Sequence, residues 1–133
     1  MDEELKQELQ EVISKAVEVR ENAHHNNFKV GAVLKMKSGK MYTGCNINDK
    51  DILSICAERV AFSKAISEGE NDFEYLLLVG GPTDGFLEKT LPCGYCRQFM
   101  TEFVSPDFKI YVYYNERLED FTLGELLPNA YEY

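Results

Sequence analysis

Apolar residues at Leu5, Leu9, Val12, Ile13, Ala16 and Val19 recur three and four apart between charged positions. That spacing predicts an amphipathic helix over residues 2–22. The polar run Asn22-Ala23-His24-His25-Asn26-Asn27 ends it. Residues 28–37 and 40–48 read as two strands joined at Ser38-Gly39, a hairpin signal, and a polar loop follows from Asn48 to Asp51. A second helix is expected from near Cys56 to about Ser67, closed by Gly69. The pattern then changes. Tyr75-Leu76-Leu77-Leu78-Val79 is a continuous apolar run, as in a strand buried on both faces, and Gly80-Gly81-Pro82 reads as the turn after it. Residues 96–104 read as a helix that Pro106 stops, residues 110–114 as a second buried strand, and residues 122–127 as a short helix before Pro128. A buried strand, a helix and a buried strand predict a right-handed parallel crossover. With the hairpin ahead of it, the expectation is an α/β fold with a mixed sheet and helices on its faces.

Composition narrows the picture. The chain has 133 residues, 44% of them hydrophobic and 12% aromatic, enough for a core and of a length that suits one domain over residues 1–133. Fourteen Lys and Arg stand against 23 Asp and Glu, a net charge of -9. That balance argues against a nucleic-acid polymer as partner and against an anionic membrane surface. A small neutral or cationic ligand remains open. No stretch approaches the roughly 20 apolar residues of a spanning helix. The start, MDEELKQELQEV, is acidic where a secretion signal would be basic and then apolar. A cytoplasmic protein is expected, and its four cysteines are then read as metal-binding or catalytic before they are read as disulfides.

Two clusters carry candidate chemistry, Cys56-Ala57-Glu58 and Pro92-Cys93-Gly94-Tyr95-Cys96. A Cys-x-x-Cys alone could be a redox pair, half of a structural zinc site, or chance. A redox pair would follow the first strand of its unit, and this one follows a later strand. A structural zinc site would need a second Cys-x-x-Cys or a His pair, and Cys56 has no Cys or His three or four residues away. What remains is three thiolates around one zinc with a fourth position open, the pattern of a catalytic site. Both clusters sit at expected helix starts, where free N–H groups stabilise thiolates. Glu58 falls beside the metal but off the ligand direction, where a carboxylate can shuttle a proton. Zinc with three thiolates carries a net negative charge, so a cation bonded to a ligand sulfur would help. Arg59 is favoured for that role over Arg97.

Cys-Ala-Glu-Arg at 56–59 and Pro-Cys-Gly-Tyr-Cys-Arg-Gln at 92–98 resemble the small zinc-dependent cytidine deaminases. The likeness extends to Phe28-Lys29-Val30-Gly31-Ala32, to residues 42–47 and to Glu125-Leu126-Leu127-Pro128, nearly the whole chain. It implies a three-layer α-β-α sandwich with a sheet of about five strands. It also implies Cys56, Cys93 and Cys96 as zinc ligands, with Glu58 moving a proton from the attacking water to ring N3 and then to the departing ammonia. Phe28, Asn46, Asn48 and Ala57 would contact the nucleoside. Tyr131 would reach a neighbouring subunit's site in a homotetramer. The implied role is pyrimidine salvage.

The chain also departs from that pattern. Asn48 stands where the family usually has the Glu that holds the ribose hydroxyls, His25-Asn26-Asn27 replaces a Tyr-Ser-Lys type sequence, and the loop to Cys56 is slightly shorter. Blasticidin S deaminases share the metal motifs and lack that Glu, which makes them the alternative reading. Arg59 speaks for cytidine deaminases. Outside enzymes, a non-catalytic zinc-stabilised module competes, whereas an editor of nucleic-acid polymers is opposed by the charge. Simpler roles are expected elsewhere: Cys45 as a small strand residue, His24 and His25 on a solvated surface, Asp49 and Asp51 in a polar loop, and the tyrosines of 111–114 in a strand core.

Overall fold

The computed structural model describes residues 1–24, 27–49, 53–83 and 86–132. Their elements are α1 (Glu3–Arg20), β1 (Phe28–Met36), β2 (Met41–Cys45), α2 (Ala57–Ser67), β3 (Phe73–Pro82), α3 (Gly94–Met100), β4 (Lys109–Tyr114), β5 (Arg117–Thr122) and α4 (Leu123–Leu126). Helix α1 starts where Asp2 accepts a hydrogen bond from the Leu5 amide at 2.9 Å, with Glu3 and Glu4 in the first turn. Both features satisfy or complement the free N–H groups of a helix start.

The strands form one sheet in the order β2-β1-β3-β4-β5. β1 pairs antiparallel with β2 and β3, β3 pairs parallel with β4, and β4 pairs antiparallel with β5. The mixed sheet and the parallel β3–α3–β4 unit match the sequence expectation. Alternation along the strands sends side chains to two cores. On one face Leu9, Val12 and Ala16 of α1 meet Val33, Leu77 and Val79. On the other, Ala61, Phe62 and Ala65 of α2 meet Leu34, Leu76, Leu78 and Ile110. Among the described residues, no helix is long and apolar enough to cross a membrane.

Three expectations need correction, and one strand is added. Gly80-Gly81-Pro82 is not a turn but the end of β3, paired with Val30, Lys29 and Phe28. The glycines allow close approach, because a Cβ at Gly80 would lie 2.5 Å from Thr90 Oγ1 and one at Gly81 1.8 Å from the Phe86 carbonyl. The third helix begins at Gly94 and ends at Met100, before residue 104; the chain goes on in turns, with Thr101 and Glu102 amides bonded three residues back to Gln98 and Phe99. β2 ends at Cys45, and the Asn46 side chain takes over the pairing to β1. β5 was not picked out in the sequence, because its six residues are only half-buried or exposed. The turn before it, Asn115-Glu116, has both residues at positive φ without a glycine.

Arg20 ties α1 to the sheet. It is 3% exposed, donating from Nε to the Lys29 carbonyl at 3.0 Å and from Nη2 to those of Gly81 and Pro82 at 2.9 and 2.7 Å. Carbonyls at the sheet end, that of Gly81 buried, thereby find donors.

Candidate active site

Gly44 sets the height of α2 above the sheet. A Cβ there would lie 2.4 Å from the Ala57 carbonyl and 2.8 Å from the Ala61 amide, so only glycine lets the first turn of α2 lie this close. Cys56 is the N-cap of α2 in extended conformation. Cys93 is the N-cap of α3, its sulfur accepting from the Cys96 amide at 3.5 Å. Two helix starts therefore bring three thiols from distant parts of the chain together. The Cys56 and Cys93 sulfurs are 3.8 Å apart, and all three lie within 4.8 Å of one another.

That spacing fits zinc. Zn–S bonds of about 2.3 Å in tetrahedral geometry separate the sulfurs by about 3.8 Å, whereas a disulfide would need about 2.05 Å. The trio also opens in one direction: Cys96 is buried, Cys56 half-buried and Cys93 exposed. Cys45 lies on β2 outside this group, which is the one such cluster of Cys, His and acidic residues among those described. His24 is exposed and Asp49 half-buried; His25 and Asp51 lie outside the described residues.

Charge is distributed unevenly over the site. Hydrogen bonding from Cys96 holds the Cys56 thiol down to about 5, with Arg59 and Cys93 assisting. The same bond, with burial, pushes Cys96 up. Glu58 is 5% exposed, and burial lifts its carboxyl from 4.5 to about 7, with the nearby Cys56 charge adding to the rise. A carboxyl balanced near neutrality can both accept and return a proton.

Arg59 Nη2 donates to the Ser54 carbonyl at 3.3 Å and to the Cys56 sulfur at 3.9 Å. Its Cζ lies 4.3 Å from the centre of the Tyr95 ring. Arg97 faces elsewhere, donating from Nε to the Pro92 carbonyl at 2.7 Å and from Nη1 to that of Leu126 at 2.6 Å. Tyr95 escaped the sequence reading because the positions between paired cysteines are commonly treated as spacers.

The candidate substrate residues fall into two sets. Asn46, 6% exposed, accepts from the Val30 amide at 2.8 Å and donates to the Phe28 carbonyl at 3.0 Å and to Asn48 Oδ1 at 3.3 Å. Phe28, Asn46 and Asn48 are thus joined through one side chain. Ile47 pairs with Ile55, the residue before Cys56, which ties this group to the start of α2. Ala57 buries its methyl group in the core, leaving its backbone for any ligand contact. Tyr131 is separate: its carbonyl accepts from Gln98 Nε2 at 2.9 Å, and its side chain is exposed.

Known proteins resemble this chain in sequence and in fold. The family model for the cytidine and deoxycytidylate deaminase zinc-binding region matches residues 6–112. A cytidine deaminase of Sporosarcina psychrophila is 36% identical over 128 residues, covering 93% of this chain and 91% of the relative. A blasticidin-S deaminase of Bacillus cereus is 29% identical over 131 residues, 93% of this chain and 90% of that protein. The crystal structure of a cytidine deaminase from Burkholderia pseudomallei superposes with a TM-score of 0.81 at 32% identity, covering 92% of this chain and 98% of that one.

Proposed function

Since this chain belongs to the cytidine and deoxycytidylate deaminase zinc-binding family, we propose that it hydrolyses cytidine or deoxycytidine to uridine or deoxyuridine, releasing ammonia. One observation carries this reading: a buried carboxyl, Glu58, whose proton equilibrium lies near neutrality, stands two residues from one of three converging sulfurs.

Cys56, Cys93 and Cys96 would hold zinc. Zinc supplies the Lewis acidity that makes water a nucleophile near neutral pH. Glu58 then does the proton work. Its carboxylate takes a proton from the attacking water and hands it to ring N3. It takes the second proton of that water and delivers it to the amine, so that cytosine plus water becomes uracil plus ammonia with no proton left over. Burial serves this role, because a fully solvated carboxyl would hold its proton too weakly to deliver it. Arg59, bonded to the Cys56 sulfur, offsets the negative charge that three thiolates would otherwise accumulate. Phe28 and Asn46 would border the nucleoside, and the Ala57 backbone its base.

Asn48 favours a second reading. An amide binds sugar hydroxyls less strongly than a carboxylate does, and the blasticidin-S deaminase relative makes a cytosine nucleoside antibiotic the other candidate. The test is kcat/KM on cytidine, deoxycytidine, blasticidin S and free cytosine, followed by ultraviolet loss of the cytosine chromophore. Cytidine or deoxycytidine should lead. A clear preference for blasticidin S would favour the second reading, and no ammonia from any of the four would overturn both. The same reading makes the protein a cytoplasmic enzyme of pyrimidine salvage. It also makes it a homotetramer in which the exposed Tyr131 side chain reaches a neighbouring site; a monomer in sedimentation would remove Tyr131 from the site.

A further inference from the structure

Arg59 is held by less than its chemistry allows. A guanidinium has five N–H donors in a rigid plane. Here the bonds to Ser54 and Cys56 both leave from Nη2, at 3.3 and 3.9 Å. Nε is buried and has no hydrogen-bond partner among the described residues. Both bonds are long, so alone they hold Nη2 only loosely on the sulfur.

Tyr95 supplies the missing constraint. It lies between Cys93 and Cys96 on the first turn of α3, and Arg59 on the first turn of α2. The Arg59 Cζ sits 4.3 Å from the ring centre, well inside the range at which a cation is attracted to an aromatic face. The ring is otherwise mostly exposed, so core packing does not account for an aromatic residue there.

We infer that Tyr95 is a positioning residue: its ring fixes the plane of the Arg59 guanidinium so that Nη2 stays on the Cys56 sulfur, and in this way it governs how tightly the three cysteines hold zinc. The inference rests on the zinc reading of the site. It acts through charge: a cation kept on a ligand sulfur reduces the repulsion among three thiolates crowded on one ion. Groups that orient metal ligands commonly change metal affinity by about 10- to 100-fold. Tyr95, which orients such a group, should account for a smaller share, about fivefold.

The test is zinc affinity by competition with a colorimetric chelator under reducing conditions, with thermal unfolding of the chelated proteins as a control for folding. Tyr95→Leu should weaken zinc binding about fivefold, whereas Tyr95→Phe, which keeps the aromatic face, should stay within about twofold of the parent. In an Arg59→Leu background, Tyr95→Leu should add nothing. Parent-like affinity in Tyr95→Leu, or an undiminished loss in the Arg59→Leu background, would overturn the inference while leaving the zinc site intact. A parent protein that takes up no zinc would overturn both.

Discussion

Replacing Glu58 with glutamine should remove turnover and, in chelated protein, add stability that grows with pH. Burial raises the Glu58 carboxyl from 4.5 to about 7. The folded state therefore disfavours the carboxylate, and the sign is opposite to that of a paired acid. Below about pH 4.5 the group is protonated in both states and costs nothing; as pH rises the unfolded chain ionises first, and the cost grows until the folded carboxyl also ionises near pH 7. At about 1.36 kcal/mol per tenfold change in the equilibrium, the full cost is about 3 kcal/mol. About 2 kcal/mol of it should develop between about pH 5.5 and about pH 8. Glutamine keeps the shape and has no proton to lose, and the cysteines are common to both chains, so their ionisation differs only through its coupling to the Glu58 charge. The assay is urea unfolding of chelated, reduced parent and Glu58→Gln protein across that range. The variant should become the more stable chain by a margin that widens with pH. A margin that stays flat would refute the account of Glu58 as an acid held against its preference by burial. The same variant, loaded with zinc, should lose at least about 10²–10⁴ in kcat.

Three further outcomes follow from the packing. Gly44→Ala would set a methyl group against the Ala57 carbonyl at 2.4 Å; backbone cannot yield as a side chain does, so a loss of about 3 kcal/mol is expected by denaturant unfolding, with a fall in kcat as α2 is lifted. Arg97→Met should leave the Pro92 and Leu126 carbonyls without their donor, costing about 2 kcal/mol and speeding amide exchange around α4; unaltered exchange there would argue that the contact is idle. Tyr75→Phe removes the hydroxyl that donates to Glu8 Oε2 at 2.5 Å and should cost about 1 kcal/mol. Kinetics should not change, because Tyr75 lies on the α1 face of the sheet, away from the sulfurs.

The sequence was most informative where structure follows from neighbours along the chain. Three-and-four spacing located α1, apolar runs located β3 and β4, and cysteines at helix starts marked the sulfur group, because each signal spans only a few residues. It was least informative where meaning depends on something distant. Gly80 and Gly81 have the composition of a turn, and only Thr90 and the Phe86 carbonyl packed above them make them part of a strand. Arg20 reads as the polar end of a helix until the carbonyls of Lys29, Gly81 and Pro82 come within reach. Arg59 and Arg97 each follow directly on a motif residue, and no local rule tells that one turns to a sulfur and the other to the carbonyl of Leu126.

The sulfurs of Cys56 and Cys93 approach each other across a separation of 37 positions, and that stretch contains α2 and the whole of β3, the central strand of the sheet. The two helix starts meet only when the chain between them has folded into place. An ion held by all three sulfurs therefore favours the folded chain. An ion bound there fastens a long loop shut, so chelation should lower the energy needed to open the sheet at its middle.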